Sequence, residues 1–471
     1  VGRNLASVHW RAIVRADDGA ATPRRKNDAV AANDDPLQRA PRARVTLLML
    51  TALSTLAFMD RQILAVLLVP VKAEFGLTDL QAGLVTGLGF ALTFGLIGVP
   101  LGRVADRHER RRLVAWCRGI GGALAALGAV AGSAWMLAFT RAGTAVSDAG
   151  GAPASMSMIA DLYPPHERSR AMSLYTAGAT LGSLLALLGG AWLAQRHGWR
   201  VTLATVGLVS MAAALALRFS VHEPLRGRFG SAAVPPPAST AAPGSSAVPR
   251  GAVGAVWADA VARWLIVAAA FALLAGYSFG VWNFAYLMRS HGLSSTGAGA
   301  VTGLSALGSL VGGIVAGTLT DRLVRRNPRW QMGVPIVGMG IALPAGLAYL
   351  ALAPGTAAWA VLAVTVFSFF ISFWVAPTYA ALSLVVPAER RAVANAMVMI
   401  VGAVGGSGIG PVLTGALSDA FAGRVDGDPL RPALAIMLTL LLGAAAALAL
   451  AMRAYAGRHA PVPPASRVLP A

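Results

Sequence analysis

The sequence predicts an all-α membrane protein of twelve transmembrane helices in two six-helix bundles, with both termini cytoplasmic. Three observations predict it: an apolar, charge-poor composition, twelve apolar runs of spanning length, and matching punctuation in the two halves. Of 471 residues, 56% are hydrophobic and 13% charged, and the mean hydropathy is +0.64. An ordinary soluble domain carries about a quarter charged residues, so most of this chain faces hydrocarbon or packed helix. The 53 glycines follow no collagen period and suit membrane helices, where small residues let backbones approach.

The formal net charge is +19, which in a soluble protein would point to nucleic acid. Here the arginines sit in particular loops rather than on one helix face, which excludes that partner and matches membrane topology. The one cysteine, Cys117, cannot form an intramolecular disulfide and reads as packing.

Residues 1–44 carry Arg3, Arg11, Arg15, Arg24, Arg25, Lys26, Arg39, Arg42 and Arg44 with no sustained apolar run, and read as a disordered cytoplasmic tail. No apolar core followed by a small-residue cleavage site precedes Val45, so no cleaved signal peptide is expected. Apolar runs then fall at 45–70, 82–104, 112–132, 135–159, 170–195 and 199–219, forming an N-terminal bundle over 45–219. Six more, at 262–288, 296–320, 332–353, 357–385, 392–420 and 431–454, form a C-terminal bundle over 262–455. Each run reaches the roughly 20 residues that cross a hydrocarbon core. Between the bundles, 220–261 contains a Pro/Ser/Ala-rich stretch at 231–246 that cannot bury a core and reads as a cytoplasmic linker. Residues 456–471 are a C-terminal tail.

Loop charge fixes the expected orientation. Arg103, Arg107, Arg110, Arg111 and Arg112 follow the second run; Arg168 and Arg170 follow the fourth; Arg322, Arg325, Arg326 and Arg329 follow the eighth; Arg390 and Arg391 follow the tenth. All lie on the side of the tail, and the opposite loops are sparse in Lys and Arg. The expected location is the cytoplasmic, inner membrane, as a multi-pass monomer.

The halves repeat one another in their punctuation. Gly102, Asp106, Arg107, Arg110 and Arg111 after the second run are answered by Gly317, Asp321, Arg322, Arg325 and Arg326 after the eighth. Pro165, Glu167 and Arg168 are answered by Pro387, Glu389 and Arg390. Two six-helix repeats related by an axis along the membrane normal are a transporter architecture.

The Gly-x-x-x-Asp-Arg-x-x-Arg-Arg element resembles the signature of the major facilitator superfamily, with Glu109 standing where that family often has Gly. The resemblance implies a clamp closing the cytoplasmic side, formed by Gly102, Asp106, Arg107, Arg110, Arg111, Asp321 and Arg322; the plainer reading is that these arginines only mark the cytoplasmic face. More narrowly, the chain is similar to the bacterial spinster-like branch. That likeness rests on Phe58-Met-Asp60-Arg61-Gln62, on Arg141 through Pro153, on Arg289-Ser-His291-Gly292-Leu-Ser294, and on Ala376-Pro377-Thr378-Tyr379.

Ionisable groups at bilayer depth usually mark a pathway or a proton relay. Asp60 and Arg61 lie in the first run, Arg141 and Asp148 in the fourth. At about 1.5 Å of rise per residue, the depth of Asp60 falls between those of Arg141 and Asp148, which share one helix face at a seven-residue spacing. The resemblance implies that Asp60 and Arg141 act as a coupling pair: cargo claims Arg141, and Asp60 then binds a proton. Asp148 joins Asp60 in proton coupling, and Arg61 joins Arg141 as a substrate or ion-pair group. Asp148 stands where the family often has Glu, and Ala145 and Ser147 where it has Gly. The alternative is a buried ion pair that only fixes packing. Candidate cavity-lining groups are Tyr175, Tyr277, Trp282, Asn283, Tyr286, Trp374, Thr378 and Tyr379.

Together these features predict secondary active transport of a small organic solute by alternating access, coupled to protons. An organic anion or acidic-headed amphiphile is the expected cargo; a passive facilitator or an exporter of hydrophobic compounds is the alternative. Membrane lipid, protons and a small-molecule substrate are the expected partners. No Gly-x-x-x-x-Gly-Lys-Ser/Thr segment or metal-spaced cluster occurs, and no cofactor, metal or enzymatic activity is expected.

Overall fold

A computed structural model describes residues 36–225, 251–353, 355–387 and 390–458. Most of the expected N-terminal tail (1–35), most of the linker (226–250) and the end of the C-terminal tail (459–471) lie outside the described residues. The chain up to Val45 is a unit of its own, and the body from Thr46 onward is one compact unit. Helix begins at Pro36, so the tail expected over 1–44 ends inside a helix.

The N-terminal half opens with α1 (Pro36–Phe75). Next comes α2, made of Asp79–Gly83, a π-turn Leu84–Leu88 and Gly89–Arg107. It is followed by α3 (Arg110–Gly128) and α4 (Ala134–Leu162). Pro165–Leu185, a π-turn Ala186–Gly190 and Ala191–Ser220 then run on from one another. Gly198, at φ 80° and ψ 168°, breaks the last of these; the parts before and after it are α5 and α6. The C-terminal half comprises α7 (Ala260–Ser290), α8 (Ser295–Val324) and α9 (Trp330–Ala351). In α10, Ala357–Ile371 and Val375–Val385 flank a tight turn at Ser372–Trp374. In α11, Arg391–Ile400 and Gly410–Phe421 flank a π stretch at Val401–Ile409. The last helix is α12 (Leu430–Arg458).

Among the described residues, nine helices are long and apolar enough to cross a membrane by length and composition. The twelve-span expectation divides one of them, Arg170–Ser220, at Gly198. It also counts α3 and α4, which are less apolar because they carry Arg110, Arg111, Arg112 and Arg118, and Arg141, Asp148 and Asp161.

Local chemistry explains the boundaries. The first four N–H groups of a helix have no partner within it, and side chains take them up here. Ser133 accepts from Met136 N at 3.2 Å, Ser294 from Gly297 N at 3.2 Å, and Asp259 from Val261 N and Ala262 N at 2.9 and 3.0 Å. Thr78 and Gln81 form a reciprocal capping box at the start of α2. Large apolar side chains such as Leu96, Phe139, Phe219 and Leu384 point outward and are exposed, which water would penalise and hydrocarbon does not.

The core is continuous across both halves. Ile63, Leu67 and Leu187 from the first half cluster with Phe279, Trp282, Tyr349 and Phe367 from the second. Further clusters fill each bundle, around Leu265, Met339 and Leu448 in one and around Leu50, Met158 and Leu217 in the other.

Candidate functional site

The charged groups expected at bilayer depth converge between α1, α3 and α4. Successive helical residues point about 100° apart, so Asp60 and Arg61 on α1 reach different partners, and α4 supplies one for each, two turns apart on a single face. Arg141 Nη1 donates to Asp60 Oδ1 at 3.0 Å, and Nη2 donates to the Asp60 main-chain oxygen at 2.6 Å. Both residues are buried, at 6% and 4% exposure. Arg61 Nη2 donates to Asp148 Oδ2 at 2.8 Å. Arg118, 5% exposed on α3, holds its Nη2 at 3.8 Å from Asp148 Oδ1.

Arg61 is also flanked by aromatic faces, its Cζ lying 5.3 Å from the Phe58 centroid and 4.7 Å from that of Phe90. Such stacking attracts a cation through the ring quadrupole. The Arg61 Nε is buried without a hydrogen-bond partner. Tyr175 of α5 is buried, with Arg118 and Asp148 among its electrostatic neighbours.

A second charged assembly joins the two halves at the end that carries the α1–α2 and α7–α8 loops. Asp79, 2% exposed, accepts from Lys72, from Arg289 Nη1 at 3.1 and 3.0 Å, and from Ser418 Oγ at 2.6 Å. Asp419, in the last turn of α11, accepts from Asp79 N at 2.9 Å and Leu80 N at 2.8 Å. A carboxylate from one half thus caps the helix N-terminus of the other, where the macrodipole favours negative charge. Asp428 accepts from Arg289 at 2.7 Å and Ser290 at 2.8 Å. Nearby, Thr296 donates through both its N–H and its hydroxyl to Gln195.

None of this assembly carries a site role from sequence; Arg289 and Ser290 enter only within the Arg289–Ser294 stretch that carries the family likeness. For Asp79 the local signal is a Thr-x-x-Gln capping box beside the acid, which says nothing about a partner more than 300 residues away. Arg118 was missed differently: an arginine in the middle of an apolar run is itself the signal.

The Major Facilitator Superfamily profile matches residues 50–411 and again 287–470. The chain belongs to that superfamily. It is 32% identical over 400 residues to an MFS-type efflux pump of Mycolicibacterium smegmatis, covering 83% of this chain and 88% of the pump. It is 26% identical over 404 residues to human protein spinster homolog 1, covering 80% and 73% of the two chains. Its fold matches the crystal structure of a bacterial homolog to the human lysosomal transporter Spinster, inward-facing and unoccupied. The TM-score is 0.75 at 26% identity, over 88% of this chain and 98% of that one. This is therefore a spinster-like, multi-pass membrane transporter and not an enzyme.

In this superfamily member, the residues expected at a cytoplasmic clamp divide. The side chains of Asp106 and Arg107, and the surroundings of Gly102, lie outside what the structure describes. Arg110, buried at 3% exposure, works within its own half: it donates to Glu223 at 2.8 Å, Asp161 at 2.6 Å, Ser157 at 2.8 Å and Pro224 O at 3.1 Å. Arg111 donates to Val221 O at 2.8 Å and, through its main chain, to Glu223 at 2.7 Å. Both tie the start of α3 to the segment after α6. Asp321 and Arg322 are exposed.

The expected cavity-lining residues also divide. Trp282, Asn283 and Tyr286 are fully buried and face protein rather than open space. Trp282 Nε1 donates to Pro411 O at 3.0 Å, and Tyr286 to Leu350 O at 3.1 Å. Asn283 accepts from Tyr349 at 2.7 Å. An amide or hydroxyl deep in an apolar core needs such a partner, which accounts for these polar groups without a cargo. Trp374 packs in the core beside Met332 and Leu382. The buried Thr378 hydroxyl has no hydrogen-bond partner, and Tyr277 and Tyr379 are half-buried.

Proposed function

We propose that this transporter performs secondary active transport of a small organic anion, acidic-headed amphiphiles included, coupled to protons by alternating access of its two halves. The observation that carries the reading is the buried Asp60–Arg141 pair, set against the second pair, Arg61–Asp148. Each ionisable group at the centre of a membrane helix costs about 2.5–3.5 kcal/mol on insertion scales, and packing alone rewards that poorly. A pair that opens during transport leaves a carboxylate in a dry site, where it takes up a proton. Excess positive charge in the cluster, three guanidinium groups to two carboxylates, favours an anionic cargo.

The positive-inside rule puts the arginine-rich loops after α2, α4, α8 and α10 in the cytoplasm, along with both termini, in a cytoplasmic membrane. The Asp79 assembly then closes the outer face. Rocking the two halves about the central cluster would open that face and close the other.

The test uses purified protein in liposomes with an imposed pH gradient, and organic acids that raise its melting temperature as cargo. Asp60→Asn is expected to lose gradient-driven accumulation while keeping downhill exchange. Accumulation that survives in Asp60→Asn overturns the coupling. A second reading, export of hydrophobic compounds, is favoured by the efflux-pump relative; under it, neutral hydrophobic compounds compete with the acid cargo.

A further inference from the structure

The repeated arginine loops of the two halves settle their charge differently. In the first half the loop is neutralised from within. Arg110, 3% exposed, holds Asp161 from the end of α4 at 2.6 Å and Glu223 from the segment after α6 at 2.8 Å. Arg112 Nε holds Glu109 at 2.6 Å, and Arg111 lies 3.5 Å from the same carboxylate.

In the second half the arginines return without those acids. Arg325 and Arg326 stand where the repeat puts Arg110 and Arg111, and Ser383 precedes Pro387 as Asp161 precedes Pro165. The Ser383 hydroxyl donates to Ala380 O of its own helix at 2.7 Å. Arg322, Arg325, Arg326 and Arg329 are all exposed, and none of them makes an ion pair with a described residue. The acids at this end of the half are Asp259, which caps α7, the exposed Asp321, and Glu389, which lies outside the described residues.

The place that Asp161 and Glu223 fill in the first half, between α3, α4 and the end of α6, is open in the second. There the start of α9 and the ends of α8, α10 and α12 border an apolar groove with about 300 Å³ of empty space, lined by Val324, Pro328, Met332, Leu384, Val385 and Tyr455. Gln331 also borders it, but its amide nitrogen is committed to Pro377 O at 3.0 Å. Val324 and Pro328 alternate along the chain with Arg325, Arg326 and Arg329, so one loop supplies both the groove wall and the charge. Trp330 follows at 38% exposure, a residue type that settles at headgroup level.

We propose that this end of the second half is a binding site for an anionic phospholipid, whose phosphodiester head pairs with the Arg325, Arg326 and Arg329 loop while the upper part of an acyl chain enters the groove. Four exposed cations beside an apolar slot match an amphiphile with a negative head. A soluble anion would leave the groove unused, and a zwitterionic lipid would bring no net charge. The positive-inside rule places the loop against the cytoplasmic leaflet, where anionic lipids are recognised by basic pockets between helix ends. The first half, its arginines already paired, offers no equivalent. The site is independent of the cargo and of the coupling pair.

The test titrates the purified full chain in neutral detergent with phosphatidylglycerol, or with phosphatidylcholine of the same chains, and reads retained lipid by native mass spectrometry. The wild type is expected to retain phosphatidylglycerol in preference. Each arginine near a charged leaflet is worth about a fivefold change in binding. The triple change Arg325→Gln, Arg326→Gln and Arg329→Gln should therefore lower the preference on the order of a hundredfold. Ser383→Asp, which returns the acid of the first half, should lower it about fivefold. It touches none of the arginines, so the test stays decisive if the triple change disturbs the fold. Arg112→Gln, in the paired loop of the first half, is expected to leave the preference unchanged. Equal retention of the two lipids by the wild type, or a preference that survives either the triple change or Ser383→Asp, overturns the site. A like loss in Arg112→Gln would show general surface attraction instead, and displacement of the lipid by millimolar inorganic phosphate would show a free-anion site; either overturns it.

Discussion

The two halves of the molecule repeat each other in their loops and differ in their interiors. Every charged residue that is buried among the described residues lies in the first half: Asp60, Asp79, Arg110, Arg118 and Arg141. The second half fills the corresponding space with aromatic packing. Phe279 and Phe367 pack with tilted rings at 4.5 Å between centroids, and Tyr349 meets Phe279 at 5.9 Å and Tyr286 at 5.6 Å. Its polar interior is neutral, built on Asn283 and Tyr349. One half thus carries the charges that chemistry can act on, and the other supplies a stiff apolar wall and one acid, Asp419, that reaches across to Asp79 N and Leu80 N.

The sharpest way to break this contrast is to unbalance the charged interior. Arg141→Gln leaves Asp60 buried and unpaired, and is expected to cost about 3–5 kcal/mol of stability by denaturant titration in mixed micelles. Adding Asp60→Asn should recover most of that loss. If Arg141→Gln is as mild as an ordinary surface change, charge is not what distinguishes the first half. In the second half, Tyr349→Phe removes the donor to Asn283 and is expected to cost about 1–3 kcal/mol. It should leave the pH dependence of transport untouched; a shifted pH profile would mean that the neutral network takes part in coupling.

The contact between halves is probed by Asp419→Asn, which weakens a helix cap worth about 1–2 kcal/mol. A Cys pair replacing Gln195 and Thr296, in a Cys117→Ala background, reports closure by cross-linking. Its yield is expected to fall roughly 5–30-fold at equilibrium, and an unchanged yield would show that the cap does not hold the halves together. The smallest effect concerns His291, between α7 and α8. Burial, helped by the nearby positive charge of Arg431, lowers its pKa below 6.5, and neither ring nitrogen has a hydrogen-bond partner. Between that lowered value and 6.5, the unfolded chain binds the proton more readily than the folded one. Stability is therefore full above pH 6.5 and declines as pH falls through that window. His291→Gln should flatten the decline, as read from melting temperatures across the window.

Much of the architecture is legible in the sequence because membrane insertion leaves its mark on composition. Long apolar runs, loop arginines and paired glycine-to-acid punctuation all persist whatever the tertiary detail. The approach of Asp60 to Arg141 could also be anticipated, since helical rise converts residue number into depth. What depth cannot give is azimuth. Trp282, Asn283 and Tyr286 lie in an apolar span and looked like lining groups, yet the rotation of α7 turns them into the packed interior. Asp79 is the opposite case: it begins α2 beside a loop, and only the folded chain brings α11 and α7 onto it. Arg118 needed no fold at all, only attention to a lone cation in an oily stretch.

The seam between α2 and α11 is made of bare main chain. A methyl group on Gly83 would stand 2.6 Å from the Pro411 carbonyl oxygen, and one on Gly415 would stand 2.2 Å from that of Asp79. These distances leave no room for even the smallest side chain, so the thickness of two peptide ribbons sets how far the halves can swing together. A single added carbon there acts as a doorstop, which offers a route to hold the transporter ajar on one face without touching any charged group.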